Sequence, residues 1–150
     1  MIAWIYLDKK AAAVEALKDY TAMVFIITSH TNAVAELRER MTALPSPQPN
    51  SQPRTHNLHA NEARIAAQLD KIDVLKERYR QALEYMEWFQ PAWDELSEEE
   101  QLVLTEFFAT DGTKLEAVGR IGNRLFLEKS QIYYKKDKAL NHLVLLLYGK

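Results

Sequence analysis

The segment IGNRLFLEKSQIYYKKDKALNHL, residues 121–143, decides how the rest of the chain is interpreted. It reads as two helices separated by a break. A helix-turn-helix requires a small residue where its helices approach, apolar residues that lock both helices, and exposed donors on the second helix. The small residue is Gly122, and the apolar locks are Ile121, Leu125 and Leu127 before the turn and Ile132 after it. The alternative is a surface helix that happens to carry lysines.

The residues expected to stay exposed around the second helix carry donors that suit DNA. Lysine and arginine neutralise phosphates, glutamine pairs with adenine, and tyrosine hydroxyls reach phosphates or base edges. The candidate DNA-binding residues are Arg124, Lys129, Ser130, Gln131, Tyr133, Tyr134 and Lys136. The surface-helix alternative stays open on chemistry alone, because lysine-rich helices with half-buried tyrosines are ordinary.

Charge is distributed unevenly along the chain, although the net charge is only −2. Residues 84–111 hold nine acidic and no basic side chains, whereas residues 114–150 hold eight basic and three acidic ones. A basic face can meet phosphate while an acidic one stays in solvent or meets a basic protein. The asymmetry therefore favours an anionic partner for the C-terminal segment.

Composition limits the class of protein. With 150 residues, 47% of them apolar, the chain has room for one modest domain or a compact unit with a helical extension. The absence of cysteine excludes disulfides and thiolate metal sites. The first residues do not resemble a signal peptide, and the later apolar runs are too short to span a bilayer. We expect a soluble cytoplasmic protein without membrane contact.

Two long helices are predicted upstream. The first covers residues 8–43, and the second begins near Leu58 or Asn61 after a proline-rich linker at 45–58. From Ile65 to Phe89 the second helix has apolar residues at a spacing close to 3.5, which is typical of a coiled-coil seam. The two helices could pair as an antiparallel hairpin within one chain or could pair two chains, and both arrangements stay open.

Three shorter helices are predicted after Pro91, which should stop or kink the second helix. The third begins at Ser97, where Glu100 completes a capping box, and ends before a turn at Asp111-Gly112. The fourth covers about 115–125 and the fifth 129–147. The predicted fold is all-α, with a coiled-coil-like helical hairpin in residues 1–90 followed by a helix-turn-helix domain in residues 91–150.

The segment from Leu96 to Tyr148 resembles region four of bacterial sigma factors and the sigma-like regulators of phages. The matching features are LSEEEQLVLTEFF, the pair Ile121-Gly122, the apolar residues Leu125, Leu127 and Ile132, and the pair Ala139-Leu140. With the upstream LDKIDVLKERYRQALEYMEWF and the ending LLLYGK, the whole chain resembles the ArpU/RinA-type late transcriptional regulators of phages and mobile elements.

This resemblance implies a sigma-like helix-turn-helix that binds duplex DNA in a bacterial host cell and activates late genes. On this hypothesis the acidic or coiled-coil part contacts RNA polymerase or a second copy of the chain, the latter as a homodimer through the coiled-coil helices. The alternative is a helical protein that binds or inhibits another protein and keeps the helix-turn-helix only as a scaffold.

Two positions depart from the motif. Phe126 occupies the turn position that glycine usually holds, and we expect its ring to pack on the hairpin. Lys135 occupies an apolar position, and we expect its stem to pack while its ammonium reaches solvent.

Other chemical signals are weaker. His56 and His59 have a spacing that metal ligands can use, but no cysteine or positioned carboxylate accompanies them. The sequence shows no catalytic constellation and no phosphate-binding glycine loop. We therefore predict no enzymatic activity, no metal and no cofactor.

Overall fold

The computed structural model describes residues 7–42 and 58–149 and contains α-helices without strands in these residues. The all-α prediction is confirmed. The helices are α1 Lys9–Thr42, α2 Leu58–Glu95, α3 Glu98–Leu104, which continues into a π-helical turn at Thr105–Ala109, α4 Lys114–Leu125 and α5 Lys129–Tyr148. The proline-rich linker predicted at 45–58 lies outside the described residues, except for Leu58.

Polar residues fix the beginnings of the helices. The Asp8 carboxylate accepts a hydrogen bond from the Ala11 amide at 3.2 Å at the start of α1. Ser97 and Glu100 form the predicted capping box of α3, in which each side chain accepts a hydrogen bond from the other residue's amide. Thr113 and Glu116 form a second one at α4, where each satisfies an amide that the helix leaves without a partner.

Of the two effects predicted for Pro91, a stop or a kink, the stop is wrong, because α2 continues to Glu95. A proline inside a helix removes one backbone hydrogen bond and crowds the preceding turn. The residues around it compensate, since Phe89, Ala92 and Trp93 are all buried in one core. Burial of large side chains on both sides of the proline therefore outweighs the local preference to end the helix.

The chain divides into two compact units. The first comprises the described parts of Met1–Met23 and Glu84–Lys150, and the second comprises the described parts of Val24–Leu83. The sequence places a boundary between residues 90 and 91, yet Phe89 before it and Trp93 after it share the core of the first unit.

The described part of the first unit contains two apolar clusters. In the larger one, Leu17 of α1, Phe89 of α2, Leu104 of α3 and Leu143 of α5 are buried together. In the smaller one, Val103 of α3, Ile121 of α4 and Ile132 of α5 are buried together, and Phe107, Val118, Leu125 and Leu127 pack against them.

The second unit is a pair of antiparallel helical segments from α1 and α2. The rings of His30 and Tyr79 stack with their centroids 4.2 Å apart. Further along α1 and further back along α2, Val34 and Leu37 are buried with Ile72. The structure therefore pairs the helices within one chain, which is one of the two arrangements that the apolar spacing left open.

Candidate nucleic-acid interface

The helix-turn-helix is held together by three buried aliphatic side chains. Ile121 of α4 and Ile132 of α5 are 0% and 1% exposed, and both pack with Val103 of α3. Gly122 lies where α4 approaches the turn, since a Cβ there would be 3.5 Å from the Leu127 carbonyl oxygen and 3.6 Å from Ile132 Cδ1. The apolar spacing read from the sequence thus corresponds to packing in the fold.

Phe126 closes α4 in a left-handed conformation, with φ 55° and ψ 42°. Its amide donates a hydrogen bond to the Gly122 carbonyl at 2.9 Å. This is the usual C-terminal cap of a helix, which glycine adopts at the least cost. The ring is 91% exposed, so the expectation that Phe126 packs on the hairpin is wrong.

Lys135 forms an ion pair with Glu99 of α3. Its ammonium is therefore neutralised by a carboxylate of a neighbouring helix, a contact that we did not expect, while the side chain stays 37% exposed. About two turns further along α5, His142 Nδ1 lies 2.7 Å from Oε2 of Glu100, the residue after Glu99. The two pairs lie along a groove of 410 Å³ between α3 and α5.

The carboxyl group of Glu100 is tuned by opposing effects. Burial raises its pKa, but hydrogen bonds from His142 and from the backbone of Ser97 lower it. The net result is a pKa below the ordinary value of 4.5. The charged form of Glu100 is thus stabilised by its place between α3 and α5.

Four of the predicted site residues are exposed around the start of α5. Arg124 lies in the last turn of α4, and Lys129, Ser130 and Gln131 form the first turn of α5. Gln131 is partly engaged, because its Oε1 accepts a hydrogen bond from the Glu128 amide at 3.1 Å. Arg124 and Lys129 have no carboxylate partner among the described residues.

Tyr133 and Lys136 point to the other side of the helix and pack against the π-helical turn that follows α3. The ring centroids of Tyr133 and Phe107 are 5.8 Å apart. The ammonium of Lys136 lies 5.3 Å from the Tyr133 centroid and 3.5 Å from Asp137, and the side chain is 17% exposed. The expectation that Lys136 is exposed is therefore wrong, because the rings of Phe107 and Tyr133 cover most of its side chain. A contact of Lys136 with phosphate stays a prediction.

Tyr134 lies on the open face of α5 and is 62% exposed. The ammonium of Lys138 lies 5.3 Å from its ring centroid. Ser130, Tyr134 and Lys138 follow one another at four-residue steps and so share one helix face. Lys138 was not among the predicted site residues, although it counts toward the positive charge of this segment. Its four-residue spacing from Tyr134 is the signal that could have placed it on the same face.

Internal ion pairs determine which cations can meet a ligand. Arg120 Nε lies 2.5 Å from Glu106 Oε2, and Lys135 and Lys136 each have an acidic partner. On α4 and α5, as far as these are described, Lys114, Arg124, Lys129 and Lys138 remain without an ion-pair partner. Two of the four, Arg124 and Lys129, flank the turn.

The remaining predicted sites add little. No group of three or more His, Asp or Glu side chains in the described ranges is arranged to hold a metal ion. His59 is exposed at the start of α2, 3.9 Å from Glu62, and His56 lies outside the described residues. No helix among those described is long and apolar enough to cross a membrane. Neither a family model nor a curated protein nor a solved structure matches this chain.

Proposed function

We propose that this protein binds duplex DNA through α4, the following turn and the start of α5, and that it regulates transcription. The observation that carries the proposal is the pair of exposed cations Arg124 and Lys129 on either side of the turn. Neither is neutralised by another described residue, whereas the cations nearer the core are. Such cations hold a protein on the phosphate backbone.

The position of these cations suits a DNA-reading helix. In helix-turn-helix proteins the N-terminal residues of the second helix contact base edges in the major groove. The first turn of α5 offers Lys129, Ser130 and Gln131 there, and the positive end of the helix dipole adds to the attraction for phosphate. The open face continues through Tyr134 and Lys138.

The biological role follows from the resemblance to the ArpU/RinA-type regulators. We propose that the protein activates late genes of a phage or mobile element in the cytoplasm of a bacterial host. Its acidic segment, in which Asp94, Glu95 and Glu98 are exposed, would contact RNA polymerase. The long helices would allow a second copy to bind, as dimeric readers of two half-sites require.

Fluorescence anisotropy on a labelled random-sequence duplex over a salt series tests DNA binding. We expect log K to fall linearly with log salt, and we expect R124A/K129A to reduce the slope by about 2, one unit for each lost phosphate contact. The matched control is R64A/K71A, which removes the same charges from exposed positions on α2. Absence of binding at about 50 mM salt would refute the proposal.

A second candidate function is binding of another protein, with the helix-turn-helix as scaffold. It is favoured by the ion pairs that neutralise Lys135 and engage His142, because they reduce the positive charge of α5. This candidate predicts no salt-dependent DNA binding and a discrete partner in pull-downs from host cells. E98K would weaken that capture, since Glu98 is the exposed acid of α3 outside the two pairs.

A further inference from the structure

Phe126 is an exposed aromatic residue in a backbone conformation that disfavours it. Its φ is 55°, and it is the one described residue other than glycine with a positive φ. The Cβ of an ordinary residue crowds the backbone in this conformation, so a phenylalanine there costs folding free energy that a glycine would not cost.

The exposed aromatic ring contributes little packing to the described fold to offset this cost. Phe126 is 91% exposed, the highest value among the large apolar residues that the structure describes. The hydrogen bond from its amide to the Gly122 carbonyl belongs to the backbone, and a glycine would make it equally well. The turn thus holds a large apolar surface in water at the expense of stability.

The residues around Phe126 indicate which class of ligand the ring contacts. Arg124 lies two residues before it and Lys129 three residues after it, and both are exposed cations without a carboxylate partner in the described chain. The nearby acid Glu128 begins α5 as its N-cap. An exposed apolar ring with an exposed cation on either side of it along the chain suits a polyanion that also presents apolar groups, and duplex DNA is such a ligand.

We infer that Phe126 is a specificity-determining residue that places its ring against the 5-methyl group of a thymine in the major groove. The inference rests on the proposed DNA binding. A recognition helix enters the major groove by its N-terminus, which for α5 directly follows this turn. The thymine methyl is the apolar group displayed on that groove, and phenylalanine is among the residues that contact it.

Replacement of thymine by deoxyuridine tests the contact, because the two bases differ by the methyl group alone. Selection from random duplexes of about 20 base pairs, two turns of B-DNA, supplies a bound sequence. That duplex is then made with deoxyuridine at each thymine in turn. Anisotropy gives Kd for the wild type, for F126G and for L115A. L115A is the control, because it removes another exposed apolar side chain, at the start of α4.

For the wild type, we expect one substitution of thymine by deoxyuridine to raise Kd about fourfold, the factor for one buried methyl group. F126G should bind the thymine duplex at least about fourfold more weakly and should not distinguish the two bases. L115A should behave as the wild type. F126G should also unfold at a higher urea concentration than the wild type, so its weaker binding cannot be ascribed to misfolding.

Each contrary outcome has a separate meaning. Equal Kd for F126G and the wild type would overturn the inference while leaving DNA binding intact. A weaker F126G with no thymine preference in the wild type would also overturn it, and would indicate a ring inserted between base pairs, as minor-groove proteins do. No binding of any duplex by the wild type would overturn the proposed function itself, and the inference with it.

Discussion

The ammonium of Lys136 lies 5.4 Å from the ring centroid of Phe107, which belongs to the π-helical turn after α3. Lys136, which its charge made a candidate DNA contact, is therefore held over an aromatic ring of the first unit. Its stem covers apolar surface, and its charge interacts with two rings and with Asp137.

This arrangement predicts that K136A destabilises the fold more than it affects DNA binding. Loss of the cation–π contacts should lower the free energy of unfolding by about 0.5–2 kcal/mol. The slope of log K against log salt should stay at the wild-type value, whereas K129A should reduce it by about 1. Urea unfolding and anisotropy measure the two effects. A reduced slope with unchanged stability in K136A would contradict this assignment.

The fold could largely be predicted from the sequence, because the features that determine it are local capping residues and periodic apolar residues. The capping box of Ser97 and Glu100 and the stripe through Ile132, Ala139, Leu140 and Leu143 are patterns that a helix of 3.6 residues per turn imposes. That α2 continues past Pro91 could not be predicted, since the burial of Phe89 and Trp93 on either side of it depends on α1 and α5.

The candidate site could be predicted only in part, because the exposure of a side chain on α5 depends on which residues of other elements pack against it. Lys135 and Lys136 have the same chemistry as Lys129, but Glu99 and Phe107 of the preceding elements engage them. No periodicity within α5 reveals these neighbours. Phe126 was recognised as a departure, yet its exposure requires knowledge of how the turn leaves α4.

P91A tests whether α2 is a continuous helix. Pro91 is exposed, so alanine loses little packing, gains a backbone donor and relieves the crowded preceding turn. We expect the free energy of unfolding to rise by about 1–3 kcal/mol. Urea denaturation measures the change. The control is A60G in the first turn of α2, where Ala60 is exposed, because it shows how strongly the measured stability responds to helix propensity. A destabilised P91A would mean that the proline sets a bend on which the core depends.

Gly122 has room for a methyl group but not for a large side chain. The Cβ of G122A would make ordinary contacts with Leu127 and Ile132, and alanine favours the helix by about 0.5–1 kcal/mol, so G122A should be as stable as the wild type or more stable. G122L should lose about 1–3 kcal/mol through overpacking. G119A is the control, because nothing lies within 4 Å of its Cβ. Strong destabilisation of G122A alone would show a tighter approach of the helices than the structure has.

Glu100 makes stability depend on pH. Its folded pKa is lower than its usual 4.5, so the unfolded chain takes up a proton more readily, and the contribution of Glu100 is present above the unfolded pKa. It is lost as the pH falls through the folded pKa. E100Q keeps the oxygen that accepts from the Ser97 amide but removes the charge that faces His142. The wild type should therefore exceed E100Q in stability at neutral pH.

The difference between the two proteins should shrink as the pH is lowered from about 7 to about 3, because protonation makes Glu100 resemble glutamine. Urea unfolding at a series of pH values measures it. E98Q is the control, since Glu98 is exposed on the same turn of α3 and has no ion-pair partner among the described residues. A wild-type advantage that persists undiminished at about pH 3 would show that the carboxylate charge is not what joins α3 to α5.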